Sequence, residues 1–318
     1  MRALLFLILT GLLSSCVFKD LKELYSEEEV IARYASYESG SRFITIDNKK
    51  IHYRMEGQGP ALVLVHGTID SLHTWDLLMP TLKQHFKVFR FDIPGFGLSD
   101  PFDEIPSDQV VEESVVFMDK LFKMMKLEKF SMMGNSLGGL LTWYYAYHHP
   151  EKVEKVVLLD SAAYAQDFPW IFDASNPIYK FVVSMGGKYF GEDFIRLFGN
   201  KIPGVVGEST HPKFVKEQLR RIGMMFQSEG NVESYMNLLE VESNYDFRHA
   251  SVISKIKAPM FIIYGANDKV IPPSIQLPRF VQDRPNDRYY VFPEGAHVPH
   301  WENPHDLLKL IVPYFVSK

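Results

Sequence analysis

Short, largely apolar runs recur along this chain at Ala61 to Val65, Lys87 to Phe91, Phe130 to Met133, Val156 to Leu159, Met260 to Tyr264 and Arg288 to Phe292. Runs this short, with little polar alternation, suit strands covered on both faces, the usual condition of a parallel sheet. Helix-compatible stretches separate them at Trp75 to Gln84, Asp108 to Met125, Leu137 to His149 and Asp306 to Phe315. Parallel neighbours need a crossover, and these stretches can supply it. The pattern predicts an α/β fold, a mainly parallel sheet with helices on both faces. An opening hairpin is expected where Phe43 to Asp47 and Ile51 to Met55 flank Asn48-Lys49-Lys50. From about Tyr164 to Tyr245 the alternation stops, and Phe, Tyr and Met fill helix-like stretches punctuated by Gly and Pro. That is too long for a connecting loop. A helical cap is therefore expected over 164–245, inserted into a core made of 42–163 and 246–318.

One strand-turn-helix junction carries chemistry. Gly134-Asn135-Ser136-Leu137-Gly138 follows the Phe130 run and opens the Leu137 helix. A tight turn there projects a serine hydroxyl from the sheet and aims the next backbone N–H at a reacting carbonyl. Small residues on both sides let the turn close. A serine hydroxyl is a weak nucleophile, so it needs a base, and the base needs an orienting carboxylate. In a parallel sheet these groups gather at the carboxyl ends of strands. Asp268 follows the Met260 strand in Gly265-Ala266-Asn267-Asp268, and His297 follows the Arg288 strand in Pro293-Glu294-Gly295-Ala296-His297. The candidate catalytic set is therefore Ser136, Asp268 and His297. Asp160 also ends a strand and is the rival orienting acid. His300 and Glu302 read as local supporting or surface groups. The oxyanion hole is expected from the backbone N–H of Leu137 and that of Thr68, in the His66-Gly67-Thr68 loop after an earlier strand. His66 is expected to orient that loop. No His or acidic spacing suggests a metal, since the adjacent His148 and His149 diverge on a helix. No cofactor is expected.

These motifs together resemble the α/β-hydrolase superfamily from about Phe43 onward. The order Ser136, Asp268, His297 is that family's order. Phe91-Asp92-Ile93-Pro94-Gly95-Phe96-Gly97-Leu98-Ser99 is similar to its D-x-P-G-x-G-x-S loop, and His66-Gly67 with Ser71 and Trp75 is similar to its oxyanion-loop signature. The resemblance implies a mostly parallel eight-stranded sheet with an inserted helical cap. It implies a serine hydrolase cleaving carboxylic esters through an acyl-enzyme. Within the superfamily, the chain resembles cap-bearing esterases, haloperoxidase-like perhydrolases and carbon–carbon bond hydrolases. Serine at the elbow sets it apart from the dehalogenases and epoxide hydrolases, which use aspartate there. Asn135 matches the carbon–carbon hydrolases, but Val298 stands where they often carry Trp, and Ala296 where Gly is usual. A ligand receptor with a retained triad is the non-enzymatic alternative. Trp170 and the Phe and Met content of the cap suggest a small-molecule ester with an apolar group.

The N-terminus predicts a location. After Arg2, an apolar run from Ala3 to Leu13 leads into Ser14, Ser15 and Cys16. The run suits a signal-peptide core, being short of the roughly 20 residues a spanning helix needs. Leu13-Ser14-Ser15-Cys16 resembles a bacterial lipobox, with Cys16 the lipidated residue. Residues 1–15 would be a lipoprotein signal and 16–41 a tether, placing the enzyme in the cell envelope as a lipid-anchored membrane protein, with Val17 after the cysteine compatible with the outer membrane. Cys16 is the only cysteine, so no intrachain disulfide can form. Ser26-Glu27-Glu28-Glu29 reads as a capping box opening a short helix toward Tyr34, or equally as a solvated tether. The net charge of −5 and the lack of a basic stripe argue against a nucleic-acid partner.

Overall fold

The computed structural model describes residues 25–103, 105–106, 109–166, 177–199, 204–207, 210–228, 230–244 and 247–317. The apolar run at 3–13, Cys16 and Trp170 lie outside them. The strands are β1 (Arg42–Ile46), β2 (Lys49–Glu56), β3 (Ala61–Val65), β4 (Lys87–Phe91), β5 (Phe130–Asn135), β6 (Val153–Leu159), β7 (Met260–Gly265) and β8 (Arg288–Phe292). They form one eight-stranded sheet in the order β1-β2-β4-β3-β5-β6-β7-β8. The β1–β2 and β2–β4 pairings are antiparallel and every later one is parallel. From β3 the chain passes to β4 on one side and then to β5 on the other. That reversal opens a crevice at the carboxyl ends of β3 and β5, where ligands of such sheets bind.

The helices are α1 (Glu27–Tyr34), α2 (Met79–His85), α3 (Val110–Met124), α4 (Leu137–His148), α5 (Pro177–Gly199), α6 (Pro212–Phe226), α7 (Asn231–Asn244), α8 (Pro273–Asp283), α9 (Pro299–Glu302) and α10 (Pro304–Val316). Period-two alternation divides the strands between two cores. Val63, Val65, Phe89, Phe91, Met132, Val156 and Leu158 share one apolar cluster with α3 and α4 residues. Leu62, Leu64, Val88, Met133, Val157 and Leu159 share the other with Trp75, Leu82, Leu307 and Ile311. Helix α4 is buried without a break from Leu137 to Ala146, as a helix covered on more than one side must be. Helices α5, α6 and α7 interrupt the chain between β6 and β7.

Two local expectations change. The hairpin turn is shorter than Asn48-Lys49-Lys50: Ile46 pairs with Lys49, and only Asp47 and Asn48 turn, at φ 49° and 62°. Both are residue types that tolerate left-handed backbone, and this turn twist matches the strands. The stretch from Trp75 to Gln84 is not one helix. A 3-10 turn covers Leu72–Trp75, and α2 begins at Met79. Pro80 is the reason, because within a continuous helix its ring would strike the carbonyl of residue 76, whereas the first turn tolerates it.

The capping box forms. Glu29 N–H donates to Ser26 Oγ at 3.2 Å, and Ser26 N–H to Glu29 Oε2 at 2.8 Å. Helix α1 is not merely solvated, since Val30 and Ala35 are buried with Leu98, Met224 and Met225. Among the described residues no helix is long and apolar enough to cross a membrane.

Candidate active site

Ser136 sits between β5 and α4 with φ 55° and ψ −120°. For a residue with a Cβ this backbone is strained and needs a surrounding structure that enforces it. Its own N–H donates to Leu159 O at 3.0 Å, fixing the turn to β6. The flanking glycines are required. A Cβ on Gly134 would lie 2.1 Å from Gly138 O, and one on Gly138 would lie 2.2 Å from Val65 O and 2.3 Å from His66 O. Asn135 Nδ2 donates to Leu159 O and to His297 O, both at 3.1 Å. The residue before the serine thus anchors the loop that carries the histidine.

His297 Nδ1–H donates to Asp268 Oδ2 at 2.8 Å, and both side chains are buried. Asp268 Oδ1 accepts the N–H groups of Val270 at 2.7 Å and Ile271 at 3.0 Å. Asp160 stands behind this pair, fully buried at φ 44°. Its Oδ1 accepts Gly265 N–H at 2.8 Å, while its Oδ2 meets no conventional partner. Burial, and then the charge of Asp268, push the Asp160 carboxyl well above the ordinary carboxylate range. Asp160, Asp268 and His297 bring ligand-type atoms within 4.8 Å of one another. A cation there would compete with the N–H groups that already fill Asp268, so the trio reads better as a hydrogen-bonded relay than as a metal site. His297 is paired with Asp268, and Asp160 supports that acid from behind.

The loop after β3 lies against the serine. A Cβ on Gly67 would fall 3.3 Å from Ser136 Cβ. His66 holds this loop: its Nδ1–H donates to Gly67 O at 2.7 Å, and its Nε2 accepts Ile93 N–H at 2.9 Å. Complete burial lowers its pKa, keeping the ring neutral. The loop after β4 is tied by Asp92, whose Oδ1 accepts Leu72 N–H at 2.7 Å and whose Oδ2 accepts Leu98 N–H at 2.8 Å and His52 Nδ1–H at 2.8 Å. Ser99 Oγ–H donates back to Asp92 O at 2.8 Å. The D-x-P-G-x-G-x-S pattern is therefore a folded unit that braces the crevice.

His300 and Glu302 are internal supports, not surface groups. His300 is fully buried against Thr74 Oγ1 at 2.8 Å, and burial lowers its pKa to about 3. Glu302 accepts the N–H groups of Ala296 at 2.6 Å, Val298 at 3.3 Å and Gly207 at 3.0 Å, clamping the histidine turn. Ala296 and Val298 are both buried in that turn.

A cleft partly open to solvent reaches Leu137. Ile93, Phe96, Leu141 and Phe102 line it from the core, and Ser234 and Leu238 from α7. Two features of the site are not evident from strand-end reasoning. One is the approach of Asp160 to Asp268, which requires β6 and β7 to be neighbours. The other is a buried ion pair between Arg221 of α6 and Asp70, 151 positions apart in sequence.

A family model for the alpha/beta hydrolase fold matches residues 60–304. A pimeloyl-[acyl-carrier protein] methyl ester esterase of Legionella pneumophila (strain Lens) is 27% identical over 253 residues, covering 78% of this chain and 92% of that protein. The solved structure of a membrane phospholipase A, described as a bacterial virulence factor, superposes with TM-score 0.73 at 21% identity, covering 98% of this chain and 97% of that one. An enol-lactonase from Burkholderia xenovorans LB400 gives TM-score 0.70 at 21% identity, with coverage of 87% and 100%. With a family model spanning most of the sheet, the elbow and the histidine turn, the chain belongs to the alpha/beta hydrolase fold family.

Proposed function

We propose that the chain is a serine hydrolase of carboxylic esters working through an acyl-enzyme. The observation that carries the reading is the strained elbow at Ser136 together with the buried His297–Asp268 hydrogen bond of 2.8 Å. In this reading His297 Nε2 accepts the Ser136 hydroxyl proton as Oγ attacks the ester carbonyl. Asp268 holds the proton on Nδ1 and stabilises the imidazolium that forms. The N–H groups of Leu137 and Thr68 receive the oxyanion. The tetrahedral species then collapses, with His297 returning its proton to the departing alkoxide. Water repeats the sequence and releases the acid. One lost oxyanion donor would raise the barrier by about 2.7–4 kcal/mol. The apolar cleft beside Leu137 supports a substrate with an apolar group, and the 27% identity to a methyl ester esterase supports ester cleavage. The test is an acyl-chain series of chromogenic esters with wild type and Ser136→Ala. Hydrolysis by wild type alone is expected; equal rates in both proteins, or none on any ester, would sink the reading.

The same reading places the enzyme in a cell envelope, anchored through Cys16, on the strength of the lipobox-like Leu13-Ser14-Ser15-Cys16. Labelled fatty acid should enter the wild type and not Cys16→Ser. An unlabelled wild type would refute the anchor.

A further inference from the structure

The loop after β3 is gripped from two sides. From the core, Ile93 N–H donates to the Nε2 of His66, whose Nδ1–H in turn bonds Gly67 O. From the cap, Arg221 of α6 reaches Asp70, with Nη2 2.5 Å from Oδ1. Both side chains are nearly out of solvent, at 5% and 11% exposure. Asp70 Oδ1 also accepts Ser71 N–H at 2.7 Å, and Arg221 Nη1 donates to Gln218 Oε1 at 2.5 Å. Between Thr68 and Asp70 stands Ile69 at φ 57°, a conformation costly for a β-branched residue. Such a backbone persists only where its neighbours enforce it. The segment bearing the proposed Thr68 donor is therefore strained, and one of its holds comes from the cap.

Helix α6 is in turn held by α1. Tyr34 Oη donates to Met224 Sδ at 3.7 Å, Arg33 Nη2 lies 3.6 Å from Glu217 Oε1, and Val30 and Ala35 share a buried cluster with Met224 and Met225. The contacts run from α1 through α6 and Arg221 to Asp70, two residues from Thr68.

We propose that Arg221 is a positioning residue that makes the oxyanion loop depend on the seating of α6: with α6 docked, the Arg221–Asp70 pair holds Thr68 N–H on the reacting centre, and with α6 displaced the strained loop relaxes. This rests on the serine-hydrolase reading above. Removing either partner also leaves the other charge buried and unpaired, so the test must separate lost positioning from lost stability. The variants are Arg221→Met, Arg221→Lys and Tyr34→Phe, each checked for wild-type circular dichroism at the assay temperature. The readout is the second-order rate of Ser136 labelling by an alkyl fluorophosphonate. In that reaction the Ser136 Oγ–P bond forms, the P–F bond breaks with loss of fluoride, and the hydroxyl proton passes to His297. A phosphoryl oxygen takes the place of the oxyanion, so the rate senses the donors without requiring any ester to be a substrate. Arg221→Met should label at least about tenfold more slowly, as expected for a donor moved by a fraction of its bond length. Arg221→Lys should recover part of that loss, and Tyr34→Phe should fall between wild type and Arg221→Met. In the ester assay the loss should appear in kcat more than in KM. Folded Arg221→Met labelling at the wild-type rate would overturn the proposal while leaving the serine-hydrolase reading intact. Labelling of wild type without turnover of any ester would sink the ester reading alone. A wild type that does not label sinks both.

Discussion

Asp160 provides a test in which the sign is fixed by linkage. Its Oδ2 is buried without a conventional partner, beside Asp268 and with Glu302 and Tyr264 nearby. Burial and the Asp268 charge keep it protonated well above the usual range. A neutral Asp160 can donate its proton to Asp268, so Asp160→Asn preserves both an acceptor for Gly265 N–H and a donor, while removing the titration. In the unfolded chain the carboxyl ionises near pH 3.9. Between that value and the raised native pKa, the native state therefore holds one proton that the unfolded state has lost. The Asp160 contribution to wild-type stability must fall with rising pH there, by about 1.4 kcal/mol per unit. The variant lacks that term. Urea unfolding at fixed ionic strength should therefore show the stability of Asp160→Asn rising relative to wild type as pH climbs from about 4 into the raised native range, with equal m values. A difference that stays flat from pH 5 to pH 7 would mean that the carboxyl is ionised in both states, and the relay described here would be wrong.

Gly138→Ala puts a methyl group 2.2 Å from Val65 O and 2.3 Å from His66 O, where both obstacles are backbone. Thermal unfolding should register a loss of about 1–3 kcal/mol, with a larger drop in kcat than in KM because the displaced atoms carry the Thr68 loop. A variant of native stability and activity would refute the close fit. His300 and His73, whose native pKa values are lowered by burial to about 3 and about 4, work in the opposite sense to Asp160. Unfolding near pH 5 takes up about one proton at each, because the unfolded imidazole titrates near 6.5. The histidine contribution to stability should fall as pH drops from 6 toward 4, and His300→Gln should change the slope of stability against pH by about one proton in that direction; an unchanged slope would contradict the neutral assignment.

Much of the architecture is legible because buried parallel strands write short apolar runs and their carboxyl ends gather the polar turns. The elbow is legible for a local reason, since Gly134 and Gly138 flank a residue whose backbone tolerates no larger neighbours. The split between the 3-10 turn at Leu72–Trp75 and α2 was available from Pro80, whose effect on a continuous helix is local. Other features are not local. Asp160 reaches Asp268 only because β6 and β7 are hydrogen-bonded neighbours, and strand order is not written in either strand. Arg221 is an arginine on an amphipathic helix, a residue type that usually faces water. Only the packing of α6 over the β3 loop reveals that its charge is spent on Asp70. Asn135 is similar: its bond to His297 O joins two strand ends 162 positions apart.

The central claim is a covalent acyl-enzyme on Ser136. The direct measurement is the mass of the peptide containing Ser136 after rapid acid quench of the enzyme turning over p-nitrophenyl butyrate. The account predicts a fraction of that peptide heavier by one butyryl group less a hydrogen, absent in Ser136→Ala and decaying once ester is exhausted. Ester hydrolysis with no acyl adduct on Ser136, or an adduct on another residue, would contradict it.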